Sequence, residues 1–163
     1  MKALKYFVSI AFLLCLFACT EDSVTKHNDG EQILSIYHNL YKGECLGYCD
    51  TDLIIDSLTI SFTQRGWNID SSGNYYVLQQ IDSNYYTNPL IWSRINEIIN
   101  MDSVMTLDST YYIDDDSSWV SEGYINLRIE TNLRSKSIKF LVNKYLPPID
   151  SLNKFLINLR DDL

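Results

Sequence analysis

Strict alternation of apolar and polar side chains is the feature that most limits how this chain folds. In the segment YINLRIET (124–131), isoleucine and leucine occupy every second position, with polar residues between them. Side chains of a β-strand point alternately to opposite faces, so this pattern places one face on a core and the other in solvent. The segment KSIKFLV (136–142) follows a short polar turn, and we therefore predict an antiparallel hairpin over 124–142.

Three further segments have the composition of strands. They are ILSIYHNLY (33–41), a segment best placed at 53–64, and YYVLQQI (75–81). Arg65-Gly66 is expected to end the second, and NIDSSGN (68–74) to form the turn before the third. Residues 102–122 carry a weaker pattern, in which we predict one short strand and an acidic loop.

Two segments repeat apolar residues at helical spacing. Asn88-Pro89 opens the first, because asparagine caps free N–H groups and proline suits the first helical turn. That helix is expected to end near Asn100 or Asp102, and the second to run from about Pro148 to Asp161. We therefore predict an α+β fold, with an antiparallel sheet of about five to six strands and two helices on one face.

The first eighteen residues, MKALKYFVSIAFLLCLFA, differ from the rest of the chain. Lys2 and Lys5 precede an apolar run that is shorter than the about 20 residues of a bilayer span. A basic start followed by such a run is typical of a secretory signal peptide, which we place at residues 1–18. A transmembrane anchor is the alternative.

The apolar run ends in Leu16-Phe17-Ala18-Cys19, which resembles the lipobox of bacterial lipoproteins. The resemblance implies that the Cys19 thiol receives a diacylglycerol and that a peptidase cleaves the chain before it. Two or three acyl chains would hold the protein on a membrane, because each buried CH₂ contributes about 0.8 kcal/mol. The alternative is an ordinary signal peptide with a chance cysteine at its cleavage site.

Thr20-Glu21-Asp22 comes directly after that cysteine and resembles the surface-export tag of Bacteroidota lipoproteins. The residue that follows the cysteine is also not aspartate, which retains many lipoproteins in the inner membrane. The resemblance implies a lipid-anchored protein of the outer membrane, facing outward. Residues 19–31 are polar and are expected to form a flexible, lipidated tether. The alternative is therefore that the acidic residues belong to this tether and carry no export signal.

The remaining residues, 32–163, have the size of a single α+β domain. Once residues 1–18 are removed, 11 basic residues stand against 21 acidic ones, a net charge of −10. Such an acidic chain argues against nucleic acid as a partner, and against attachment to an anionic bilayer through charge.

The segment GECLGYCD (43–50) contains Cys45 and Cys49, the two cysteines outside the leader and lipobox. In an exported domain a disulfide is the expected state of such a pair. A redox role, the first alternative, more often uses two intervening residues beside a helix start. Zinc, the second alternative, needs two more ligands, and the sequence offers only His27 and His38 as histidines.

No other pattern in the sequence predicts a catalytic residue, a metal or a cofactor. Asp114-Asp115-Asp116 could bind calcium, but the glycine and glutamate of an EF-hand loop are missing at the required positions. Asp50, Asp52 and Asp56 could collect a cation near the cysteine loop. The sequence also lacks G-x-S-x-G, H-E-x-x-H and a glycine-rich phosphate loop, and His38 is expected to be packed within a strand.

Aromatic residues are frequent, with twelve tyrosines and three tryptophans. Several lie in adjacent pairs: Tyr75-Tyr76, Tyr85-Tyr86 and Tyr111-Tyr112. On a strand each pair would place one ring in the core and one outside. Exposed rings beside Asn, Ser and Asp would suit a glycan or a protein partner, while the alternative is the β-propensity of tyrosine alone.

The segment Gly43–Cys49, followed by the predicted strand Ile54–Phe62, resembles a Bacteroidota lipoprotein domain of unknown function. That family typically reads C-F-G-x-C-P; here Leu46 replaces the phenylalanine and Asp50 the proline. The resemblance implies no known activity. We therefore expect a non-enzymatic binding or accessory module of the cell envelope. The alternatives are a thiol-redox or other enzyme using Cys45 and Cys49, and an inhibitor or envelope-assembly factor.

Surface display is testable by protease treatment of intact cells. Because an outward-facing domain is accessible to the protease, it should be degraded, whereas a periplasmic control protein should survive. Immunoblotting of the full-length band measures the loss. Complete protection, with degradation only after lysis, would count against display.

Overall fold

The computed structural model describes residues 30–111 and 122–163. The chain divides into two units, Met1–Glu31 and Gln32–Leu163, and the described helices and strands lie in the second. Its strands are β1 (Ile33–Tyr41), β2 (Gly47–Asp56), β3 (Thr59–Ile69), β4 (Tyr75–Val77), β5 (Ile81–Tyr86), β6 (Thr110–Tyr111), β7 (Tyr124–Thr131) and β8 (Ser135–Leu141). Its helices are α1 (Pro89–Ile98), α2 (Met101–Met105) and α3 (Pro147–Asp161).

All eight described strands belong to one sheet with β1 near its centre. The order is β4-β3-β2-β1-β7-β8-β6, and β5 also pairs with β3. Every pair is antiparallel except β6 with β8. The chain thus mixes α and β structure around a mostly antiparallel sheet, as the alternating pattern predicts.

One face of the sheet packs against the hydrophobic core. His38 of β1 lies opposite Leu53 of β2 and Leu127 of β7, and all three are almost fully buried. The same face carries a set of fully or nearly fully buried apolar residues on five strands: Ile36, Ile55, Ile60, Phe62, Ile125, Ile129, Ile138 and Phe140. Each such side chain contributes about 1.5–3 kcal/mol by burial, which fixes which face is covered.

The helices cover that face. Asn88 caps α1 by accepting a hydrogen bond from the Leu90 N–H at 2.9 Å, and Pro89 follows it, as predicted. Residues from all three helices join the core: Ile95, Met101, Val104, Ile149, Leu152 and Leu156. Within the two described ranges, no helix is long and apolar enough to cross a membrane.

The predicted count of five to six strands is too low. The segment predicted as one strand over 53–64 belongs to two strands, because the chain reverses between β2 and β3. Asp56 makes this turn by accepting hydrogen bonds from the Leu58 and Thr59 N–H groups, both at 2.7 Å. Leu58 continues the alternation in the sequence, but it lies in the turn and is 72% exposed.

Two other strand predictions are also wrong in their bounds. Strand β3 continues through Arg65-Gly66 to Ile69, so this dipeptide does not end it. The segment predicted at 75–81 is split into β4 and β5, which pair with different parts of β3. The prediction of two helices is also low, because α2 follows α1 after two residues and is capped by Asn100.

Gly66 stays in the strand because of its close approach to β2. A Cβ atom at this position would lie 1.8 Å from the carbonyl oxygen of Gly47. The two glycines therefore let β2 and β3 pair closely beside the cysteine loop, which a larger residue at position 66 would prevent.

The cysteine loop joins β1 to β2. Cys45 lies in the loop and Cys49 is fully buried in β2, where the register shifts by one residue. The two sulfur atoms lie at bonding distance, with 6.0 Å between the Cα atoms, within the range a disulfide spans. The Lys42 N–H also donates to the Cys49 carbonyl at 2.8 Å, so the loop closes on itself.

Replacing Cys45 with serine tests whether this pair is a structural disulfide. A cross-link that closes a loop of about five residues restricts the unfolded chain by roughly 2 kcal/mol. We expect Cys45→Ser to lower the free energy of unfolding by that amount in denaturant titration. Reductant should lower the stability of the wild-type protein equally and leave the variant unchanged. An unchanged midpoint in the variant would refute the role.

Candidate functional site

The second face of the sheet carries polar and aromatic side chains; we call it the open face. On β1 it presents Tyr37, Asn39 and Tyr41, which alternate with the buried Ile36, His38 and Leu40. Its neighbours across the sheet follow from the strand register: Asp50 and Asp52 on β2, Arg65 and Trp67 on β3, Tyr124, Asn126 and Arg128 on β7, and Lys139 on β8.

Arg65 is the centre of a charged network on this face. Its guanidinium donates to Asp50 Oδ2 at 2.9 Å and also pairs with Asp52 Oδ2. Asn39, which is almost fully buried, donates to the other oxygens of both carboxylates, at 2.6 Å and 3.0 Å. The two carboxylates are therefore held in fixed positions by three strands.

The network extends to both sides of β1. The Tyr37 hydroxyl donates to Asp52 Oδ1 at 2.7 Å, and Asn126 Nδ2 donates to Asn39 Oδ1 at 3.1 Å. Burial, together with the bond to the Asp52 carboxylate, raises the pKa of Tyr37 well above its ordinary value. Tyr37 thus stays a neutral donor at any physiological pH.

An aromatic cluster adjoins the network at the end of β1. The Tyr41 ring stacks on Tyr124 with centroids 5.1 Å apart, and its centroid lies 6.0 Å from that of Trp67. Lys139 places its Nζ 4.1 Å from the centroid of the Tyr124 ring, a cation–π contact. Gly47 lies opposite Trp67 in the register, so β2 has no side chain between the indole and Tyr41.

A cavity of about 710 Å³ opens on the same face beside the network. Tyr37, Ile54, Asn126 and the charged residues of β7 and β8 line it. One of these, Arg128, pairs with Glu130. The volume of the cavity falls within the range typical of small-ligand sites.

This arrangement is suited to binding more than to catalysis. Asp50 and Asp52 are tied to one guanidinium and to the Asn39 amide, so the oxygens of both carboxylates are already engaged within the protein. Over residues 30–111 and 122–163, no three side chains of His, Cys, Asp or Glu lie together as a metal would need. Fixed donors, acceptors and rings around a concavity are what recognition of a ligand uses.

The other candidates from the sequence have different fates. Asp50 and Asp52 meet on the open face, whereas Asp56 lies in the β2–β3 turn, so the three aspartates do not form one cation site. His38 is packed in its strand, as predicted. Cys19, His27, Asp114–Asp116 and the leader over 1–18 lie outside the described residues.

The prediction for the tyrosine pairs is wrong at two of the three sites. Tyr75 and Tyr76 of β4 and Tyr85 and Tyr86 of β5 are all exposed, with Tyr86 at 95%. Both strands pair with β3 at the edge of the sheet, and all four rings stay exposed there. The third pair is only half described, because Tyr112 lies outside the described residues.

Sequence reasoning missed the aromatic cluster and Arg65. The signal is present as a second alternation: polar or aromatic residues occupy every other position of 37–41 and of 63–67. Because apolar side chains carry the core pattern, the sequence of a single strand gives these intervening positions no specific role. Reading them across neighbouring strands requires the register.

On the covered face, His38 meets two polar residues of α3. Its Nε2 lies 3.0 Å from Asn153 Oδ1, which assigns the ring proton to Nε2. Burial lowers the pKa of His38 to about 4; the Asn153 bond opposes this shift, and nearby Arg160 adds to it. The imidazole is therefore neutral at pH 7, as a packed histidine and not as a catalytic base.

No known family model matches this sequence, and no curated protein is significantly similar to it. The resemblance of the cysteine loop to a Bacteroidota lipoprotein domain accordingly stays a prediction.

The buried His38 makes folding sensitive to acid. Its pKa is near 4 when folded and about 6.5 when unfolded, so the unfolded chain binds the proton more tightly. The contribution of the neutral His38 to the free energy of unfolding is therefore fully present above pH 6.5. It falls by roughly 3 kcal/mol as the pH drops to 4. Denaturant unfolding at several pH values measures this loss. In His38→Gln, which keeps an amide donor for Asn153, the curve should lack that decrease; parallel curves would contradict the assignment.

Proposed function

We propose that this chain is a lipid-anchored lipoprotein of the outer membrane whose single α+β domain is a non-enzymatic binding module, displayed outward. Cys19 would carry the lipid, and residues 19–31 would serve as the tether. The ligand would bind on the open face. The observation that carries this proposal is the fixed Arg65–Asp50–Asp52 network beside the aromatic cluster and a 710 Å³ cavity.

The ligand class follows from charge and shape. Around the network and cavity, the acids Asp50, Asp52 and Glu130 stand against the bases Arg65, Arg128, Lys136 and Lys139, and Lys136 donates to the Leu107 carbonyl. A charge this close to balance favours an uncharged polar ligand. Amide, carboxylate and hydroxyl groups suit the hydroxyls of a sugar, while aromatic rings suit its C–H faces. We therefore infer a glycan as the first candidate.

The redox alternative is weaker on geometry. Cys49 is fully buried in β2, and the partly buried Cys45 lies in a loop between two strands, without the adjacent helix start that activates a thiol. The third alternative, an inhibitor or assembly factor, would use the same face for a protein partner, since aromatic and arginine side chains are also typical of protein interfaces.

Trp67→Ala and Asn126→Ala test the open face. Loss of one ring or one amide contact should weaken glycan binding about tenfold, since 1.4 kcal/mol corresponds to that factor. A glycan array with the wild-type protein identifies the ligand, and calorimetry measures each variant. Tyr86→Ala is the matched control, because it removes an exposed ring of β5 that lies opposite Thr59, at the other end of β3 from Arg65 and Trp67, and outside the lining of the cavity.

The outcomes separate the candidates. The proposal is supported if the affinity for the glycan decreases in both open-face variants and is unchanged in Tyr86→Ala. Thermal unfolding must show that all three variants are folded. If the glycan array is negative, and the wild-type protein binds a protein partner that Trp67→Ala does not bind, the ligand of the open face is a protein and not a glycan. Equal binding by all variants would refute the open face as the site.

A further inference from the structure

A second cavity, of about 300 Å³, lies on the covered side of the sheet. Phe62, a core residue, forms part of its wall, so it is separate from the open face. The cavity reaches from β2, β3 and β5 to the last turn of α3. Its polar lining includes Lys42, Tyr48, Thr51, Gln64, Ser83 and Arg160.

Arg160 is the unusual member of this lining. The residue is only 7% exposed, and its Nη1 is buried with no hydrogen-bond partner in the described part of the chain. Its Nη2 reaches Asp161 Oδ1 only at 3.5 Å, the limit of a hydrogen bond. Burial lowers the pKa of Arg160, yet a guanidinium remains charged in proteins. A buried cation without a close acceptor is strongly unfavourable.

The neighbouring residues do not explain this burial. The last turn of a helix favours a cation, but a solvated side chain would satisfy that preference equally well. His38 is neutral, and its Nδ1 likewise has no partner among the described residues, so it does not accept from Arg160. Asp161 is mostly exposed and therefore neutralises the guanidinium weakly.

We propose that this cavity binds a small anion through carboxylate or phosphate oxygens, with Arg160 as the main contact and Lys42 as the second. Of the side chains that line the cavity, two are cationic and one, that of Asp161, is acidic, in a chain whose net charge is −8. Gln64 and Ser83 add neutral donors around them. The site is independent of the ligand proposed for the open face.

Thermal unfolding of the full-length protein in sodium phosphate, sodium acetate or sodium chloride at equal ionic strength tests this site. A bound anion stabilises the folded state, so the wild-type Tm should rise saturably by about 2–5 °C in phosphate or acetate and not in chloride. The larger of the two rises identifies the preferred oxyanion. No saturable rise in either salt would overturn the proposal.

Arg160→Met separates a binding role from a structural one. Methionine keeps the aliphatic volume without the charge, so the variant without anion should melt at or above the wild-type Tm and lose the saturable rise. Arg94→Met, which removes an exposed arginine of α1, should keep the rise. A rise retained in Arg160→Met, or a lower Tm without anion, would refute the proposal. If that variant fails to fold, Lys42→Gln provides the test. It should raise the anion concentration at half-saturation about three- to tenfold, because it removes one cationic contact.

Discussion

The pairing of β1 with β2 on one side and β7 on the other is the interaction on which the rest of the structure depends. Its register places Ile36, His38 and Leu40 on the core and Tyr37 and Asn39 on the open face. Because side chains alternate, a slip of one residue would exchange the two sets. Burial of the isoleucine and leucine side chains therefore fixes the core and the candidate binding face at once.

The two cavities differ in how their charges are satisfied. On the open face, Asp50 and Asp52 share Arg65 and receive further hydrogen bonds from Asn39, so every oxygen of both carboxylates has a partner without a ligand. On the covered face, the guanidinium of Arg160 has one acceptor among residues 30–111 and 122–163, the Asp161 carboxylate at 3.5 Å. The network of the open face is therefore a preorganised surface, whereas the guanidinium of Arg160 lacks a close acceptor for its charge among the same residues.

What the sequence predicts well is local. The alternation in 124–142 suffices for the hairpin of β7 and β8, and Asn88 suffices for the start of α1. The continuation of β3 through Gly66 depends instead on contact with Gly47, and the site depends on pairs such as Asn39 with Asn126, 87 residues apart. Such contacts come from the register between strands, which no local pattern contains.

The central position of β1 also shapes how the domain is made. This strand is the first of the fold to leave the ribosome, yet β7 follows it by more than eighty residues. Until then β1 has an unpaired edge, and unpaired edges favour association with other chains. Completion of the sheet is thus a late, non-local event, typical of slowly folding topologies. A nascent chain of this kind therefore cannot complete its central strand pairs until most of the domain has been synthesised.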